Sequence, residues 1–517
     1  MTDDLLAPPA PDPDAGDAPP PVDVALPGAD SDETGSPATI GGSGSANVSG
    51  APSITDDLLA PPASGSGGAG TPPADPAPGA DAGATGGGPS AAAGTQAPAP
   101  PPATTGPEWM EYCRTANTIA LSAAVTQHGG DVNYASEDGV TVLMYTAASN
   151  PDPGVISVLV RNGADPNVVE PKFGFNALMF AASLNPQPLT SEALVNFGLT
   201  VESKDFNGGS ALAAAAAVNA NPAVTKALLG LGAIPDSKDS DGMTPMASAA
   251  RQSRTPATVT VLAEAGAKVD LANSSGDTPL MLAARYNPNP EMTAALVRAG
   301  ASLELKNQRG ETALMSACMN PNPEVLLTLV RAGAAWDVTD QSDTSALFTA
   351  AFTNSNPAVV EELLKLGADV NSTNKAGLTP LMAAAGNPFP QMTRYLLIQG
   401  ADPEATDREG RTPLMLAAWL NPEPRVLLTL LGGGADPFRK DGHGNDAMDA
   451  AVENPNPDIA RVLAEWRERL SGKASGDSSE TSPADTSEAS GAEGTAVPAV
   501  TADMPKADSP PEAAAAR

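Results

Sequence analysis

Nucleophilic, acid–base and metal chemistry is usually built from histidine, cysteine and clustered carboxylates, and this chain arranges few of them together. Its 517 residues hold two histidines, His128 and His443, and two cysteines, Cys113 and Cys318. No Ser, Cys or carboxylate constellation surrounds either histidine. A general base needs its nucleophile within hydrogen-bond reach, so both read as loop histidines in solvent. No CxxC pattern occurs, which argues against a disulfide framework or a structural zinc site. Gly86-Gly87-Gly88 has no strand or helix to aim it at phosphate and reads as linker. Glu137, Asp138, Asp236, Asp239, Asp241, Asp340 and Asp343 cluster enough to suggest calcium, but they lack the oxygen-rich alternation of an EF-hand loop. Turn residues are the stronger reading, because aspartate is favoured in turns. No catalytic residue, cofactor site or metal site is therefore assigned, and the chain reads as something other than an enzyme.

The elements that could position a site are confined to the middle of the chain. Residues 1–107 contain no Lys or Arg and are dominated by Pro, Ala, Gly, Ser, Thr and Asp. Such a segment buries too little apolar surface to offset the entropy of ordering, so disorder is expected there and, on similar composition, over 472–517. Residues 2–10 and 55–63 both read TDDLLAPPA. The duplication is either a tandem binding motif, which could also dock on this chain's own groove, or a DNA duplication without a role. The net charge of −33 argues against nucleic acid or an anionic membrane as the main partner. No apolar run reaches the length of a membrane span, and no basic region followed by an apolar run opens the chain. The cytoplasm is the expected location. The alternative is secretion, if the true start lies upstream, because Met1 aligns with Ile54 in the duplicated segment.

Residues 108–471 repeat themselves. The pattern Gly-x-Thr-x-Leu/Met recurs with its glycine at Gly139, Gly174, Gly208, Gly242, Gly276, Gly310, Gly377, Gly410 and Gly444, and Asp343 takes that place once. A spacing of 33 to 35 residues indicates a solenoid of stacked supersecondary units. One unit serves for all. Asp407-Arg408-Glu409-Gly410 supplies a turn, and Thr412-Pro413-Leu414 opens a helix with proline in its first turn. Met415-Leu416-Ala417-Ala418 continues that helix. It closes at Asn421, whose tolerance of left-handed backbone suits a helix end, and Pro422 prevents continuation. Pro424 opens a second helix bearing Val426, Leu427 and Leu430 on one face. Gly434-Ala435-Asp436 leads to the next turn.

These units resemble the ankyrin repeat. The likeness rests on Thr278-Pro279-Leu280, Thr379-Pro380-Leu381 and Thr412-Pro413-Leu414. It rests equally on the closing Gly163-Ala164-Asp165, Gly367-Ala368-Asp369, Gly400-Ala401-Asp402 and Gly434-Ala435-Asp436. It covers 131–470 and implies an all-α solenoid of about ten helix-turn-helix repeats with short hairpin-like loops, flanked by the two tails. Residues 109–128 read as an N-terminal cap, and a helix over 458–470 as the C-terminal one. Family members usually carry His after Thr-Pro-Leu, where it hydrogen-bonds between repeats. Met144, Met179, Met281, Met315, Met382 and Met415 stand here instead, which predicts a weaker polar ladder and a stronger apolar seam. Asn-Pro-x-Pro replaces the family's Gly-His connection and marks a bacterial-looking variant lineage. Cys318 takes the place of a small helix residue several units from Cys113. With helices packing ~8–10 Å apart, the two thiols lie beyond disulfide range.

The resemblance implies a concave surface lined by the outward positions of each first helix and by the loop tips. Those positions hold Tyr145, Phe180, Leu184, Leu282, Arg285, Tyr286, Met319, Phe352, Leu416, Trp419 and Leu420. Large apolar residues, aromatics and Arg at solvent-facing positions point to protein binding; the alternative is that they pack against the loops of neighbouring units. Two contact zones are expected, near units one and two and from units five to nine, with the middle bare at Ala214, Ala217 and Ser248. The expected activity is that of a monomeric interaction module or scaffold holding an unidentified protein partner. The alternative is a secreted or surface-displayed effector that engages a foreign protein.

Overall fold

The computed structural model describes residues 101–475; both outer segments, including the TDDLLAPPA copies, lie outside them. By its contacts the chain divides into two units, Met1–Ala464 and Glu465–Arg517, with the boundary inside the last helix. Among the described residues there are ten helix pairs after an initial pair, Pro107–Thr115 and Thr118–His128. The first repeat is Val142–Ser149 with Gly154–Arg161. The tenth is Ala447–Ala451 with Pro457–Ser475, which outruns the helix expected over 458–470. First helices pack on first helices and, up to the ninth repeat, second on second, so these bury their apolar stripes against neighbours one repeat away.

Local chemistry sets each boundary. The residue before every first helix in the ten repeats is Thr, Ser, Asn or Asp, and its side-chain oxygen accepts a backbone N–H of the first turn. Thr278 from Met281 and Thr412 from Met415 are examples. Proline begins most second helices, where its missing N–H costs nothing. The glycine of each connecting turn is left-handed, and Asp343 is the lone non-glycine there, at φ 56°. Gly410 has a second reason to be glycine, because a Cβ would come within 2.8 Å of the Gly442 nitrogen. The turns are stitched along the stack by single backbone bonds, such as Gln341 N–H to the Arg309 carbonyl at 3.1 Å and Arg408 N–H to that of Ala376 at 3.1 Å.

One expectation is corrected. The asparagine that closes most first helices is extended, not left-handed: Asn421 has φ −94° and ψ 121°. Its side chain does the closing. Asn421 Nδ2 donates to the carbonyls of Ala385 and Asn387 one repeat earlier, at 2.7 and 2.9 Å, and Oδ1 accepts the Glu423 N–H at 2.9 Å. Asn150, Asn185, Asn219, Asn287, Asn320, Asn354, Asn387 and Asn454 repeat the arrangement. An inter-repeat polar ladder therefore runs through asparagine at the helix ends. Carbonyls at a helix C-terminus have no partner within their own helix, so a buried amide there supplies bonds that water cannot reach to make. Methionine also does more than pack. The sulfur atoms of Met144, Met281, Met382 and Met415 accept the N–H of the capping threonine at 3.4–3.5 Å, a weak bond within the repeat.

Candidate protein-binding face

The eleven positions singled out from sequence are not equivalent in the fold. Phe180, Leu282 and Leu416 are buried, at 2%, 4% and 2% exposure, and so do not present the apolar surface expected of them. Phe180 meets Phe175 edge-on at 6.1 Å between centroids. Leu282 packs with Met243 and Ala247 of the preceding repeat. Phe180 is covered from the turn that precedes its own helix, and Leu282 from the turn and first helix of the repeat before it.

Arg285 is held in place. Its Nη2 lies 2.8 Å from Glu311 Oε2, and its side chain is only 13% exposed. Arg309 reaches the same carboxylate oxygen at 2.8 Å, and the Asn307 amide donates to it at 2.8 Å. Burial by itself would raise the Glu311 carboxyl. The Arg309 bond, the charge of Arg285 and the Asn307 amide outweigh it and hold the group below the ordinary glutamate range. Tyr145 is half-buried, its hydroxyl 3.4 Å from Glu111 Oε2. Burial and then the Glu111 charge push its phenol upward. Leu184, Met319 and Phe352 are half-buried, and a Cβ on Gly386 of the next repeat would lie 3.4 Å from the Phe352 ring.

Three positions do face outward. Tyr286 is 43% exposed, with the Arg251 guanidinium 4.9 Å from its ring centroid. Leu420 is 37% exposed. Trp419, half-buried, has Arg411 at 6.0 Å from its ring, and Arg411 is itself fixed by Asp407 Oδ2 at 2.7 Å and Glu409 Oε2 at 3.0 Å. Trp419, Met415 and Leu416 form one side of a cleft of about 320 Å³ whose other walls include Asp441, Asp449 and Glu453.

A second cleft, of about 280 Å³, lies over repeats two to four, where the sequence looks bare. Ala213, Ala214, Ala217 and Ser248 are its floor, with Phe173, Phe175 and Met243 beside them and Asp205, Asp239, Asp241 and Arg251 at its edge. Smallness of side chain creates the depression, so a search for large residues passes it by. The signal was present in the alanine run of the helix Ala211–Val218.

The residues weighed for chemistry are dispersed. His128 and His443 are exposed, and Cys113 and Cys318 are free and fully buried. The turn carboxylates bind backbone: Asp340 Oδ1 accepts from Ser342 and Thr344, and Asp239 Oδ1 from Asp241 and Met243. Among the described residues no three His, Cys, Asp or Glu side chains gather as a metal set, and no helix is long and apolar enough to cross a membrane.

The ladders, the paired helices and the turn geometry define a repeat solenoid, and comparison with known proteins places it. The family model for ankyrin repeats (3 copies) matches over overlapping windows from 143–239 to 347–441. The chain belongs to the ankyrin-repeat family. It is similar to the crystal structure of the human ASB11 ankyrin repeat domain, at 23% identity and a TM-score of 0.39, covering 43% of this chain and 98% of that one. No curated protein sequence matches it.

Proposed function

We propose that the chain holds a protein partner against its first helices and turn tips, with Tyr286, Trp419 and Leu420 as the anchoring side chains. One observation carries this reading. On the first helices of repeats five and nine, aromatic and aliphatic groups stand partly in water while their own helices are already packed on both neighbours. Exposed aromatics backed by arginine are the kind of surface from which most interface energy comes.

The test is binding by the full chain to a partner recovered from native lysate, compared with Tyr286→Ser/Trp419→Ser and with an outer-surface control, Leu428→Ser. Loss of the partner with an unchanged melting temperature supports the face. Equal recovery by both variants, or a lowered melting temperature without selective loss of the partner, rejects it.

A further inference from the structure

The alanine-floored cleft has features that the rest of the face does not. At about 280 Å³ it falls at or below the usual range for small-molecule and cofactor pockets, and it suits one or two amino-acid side chains. Its floor is mostly alanine and its edge is charged, with three carboxylates against the single guanidinium of Arg251. Asp205 and Asp239 are aimed by their own turns. Asp205 Oδ1 accepts the N–H groups of Asn207 and Gly209 at 2.8 and 2.7 Å, and Asp239 Oδ1 those of Asp241 and Met243 at 3.0 and 2.7 Å. The carboxylates crowd one another: burial first, then the charges of Asp241 and Asp205, push the Asp239 carboxyl upward despite its backbone bonds. A cation beside them would relieve that repulsion.

We propose that this cleft takes an extended peptide segment of the partner, seating one large apolar side chain on Ala213 and Ala217 with a lysine or arginine next to it against Asp205, Asp239 and Asp241. The assignment rests on the protein-binding reading above and names the chemistry of what is bound. Charge complementarity selects the occupant. With −33 on the whole chain, a basic segment is drawn in and an acidic one is turned away, and that includes this chain's own TDDLLAPPA copies. Phe173, at one end of the cleft, supplies an apolar wall, with Lys172 Nζ 4.9 Å from its ring centroid.

The cleft also spans an irregular junction. At repeat four the ladder position is Ser253, which has no amide to donate; its Oγ accepts the Thr255 N–H at 3.2 Å. A segment lying from Phe173 to Arg251 bridges repeats two and four across the one junction among Asn150–Asn454 that has no asparagine tie.

Short random peptides of about eight residues, displayed on phage, are the probe, selected against the full chain. Enriched sequences are expected to carry a large apolar residue within two positions of Lys or Arg. A synthetic peptide of that type should bind Ala217→Phe, which fills the floor, ~10-fold more weakly, and Asp239→Asn/Asp241→Asn ~3-fold more weakly with a shallower salt dependence. Melting temperatures of both variants should match the parent. If Ala217→Phe does not fold, the Asn pair decides by its salt dependence alone. Enrichment of acidic or charge-free peptides, equal binding by the variants, or no enrichment overturns the assignment. Peptides that ignore the cleft variants but are lost by Tyr286→Ser/Trp419→Ser would sink this inference and leave the proposed face standing.

Discussion

The side-chain amide of Asn354 donates to the carbonyl oxygen of Cys318, one repeat earlier, at 2.7 Å. The same nitrogen reaches the Asn320 carbonyl at 2.8 Å, and Oδ1 accepts the Asn356 N–H at 2.8 Å. One 1%-exposed side chain therefore satisfies three backbone groups on two repeats. Its removal leaves buried donors and acceptors unpaired, at ~1–3 kcal/mol each before relaxation. Asn354→Ala should lower stability by ~2–4 kcal/mol, and Asn354→Asp by no less, since a carboxylate cannot donate. Urea unfolding followed by circular dichroism measures both. A change below ~0.5 kcal/mol would mean that the ladder is incidental to stability.

Ser253 offers the reverse experiment. By register with Asn287, which reaches Ala250 and Ser253, an asparagine at this position would place its amide at the carbonyls of Ala216 and Asn219. Ser253→Asn should raise stability by ~1 kcal/mol, the net worth of an added buried hydrogen bond. A destabilised variant would show that the junction of repeats three and four is shaped around serine.

Much of this architecture was legible in the sequence because it is local and periodic. Gly139 through Gly444 mark turns whose left-handed backbone only glycine adopts cheaply, and the exception, Asp343, was visible as an exception. The second proline of each unit announced a helix start. What was not legible depended on the neighbouring repeat. Asn421 looked like a helix terminator, yet its partners lie more than thirty residues away. Leu282 and Phe180 look outward on a helical wheel and are covered only once Met243 and Phe175 arrive from adjoining segments. Ala214, Ala217 and Ser248 read as bare in the sequence, because a cleft is defined by the larger residues around its floor.

Glu311 gives a pH signature. Its folded pKa lies below the ordinary glutamate value of about 4.3, so the unfolded chain binds its proton at higher pH than the folded one does. The stabilisation is therefore complete above that value and is lost as pH falls through the folded pKa. Glu311→Gln should cost ~2 kcal/mol at pH 7, because Arg285 and Arg309 lose their common carboxylate. The difference between parent and variant should shrink below about pH 4. Paired urea titrations at pH 7 and at pH 3.5 decide it, and a gap that persists at low pH would rule out the ionised carboxylate as its source.

Cys113 and Cys318 report on opening of the stack from within. Both are fully buried, and burial pushes both thiols above their ordinary range, which suppresses the reactive thiolate as well as its access. Cys318 lies at the end of the shortened helix Ala313–Ala317, its Sγ 3.4 Å from the Leu314 carbonyl, while Cys113 sits in the first helix of the initial pair. Ellman's reagent should react with each at least ~100-fold more slowly in buffer than in urea, through opening of the surrounding repeats. Helices at the ends of a repeat stack have one neighbour instead of two, so Cys113 should label before Cys318. Single-cysteine variants, Cys113→Ala and Cys318→Ala, separate the two rates. Equal rates would mean that the solenoid opens as one cooperative unit, and faster labelling at Cys318 would place the weakest packing in the sixth repeat.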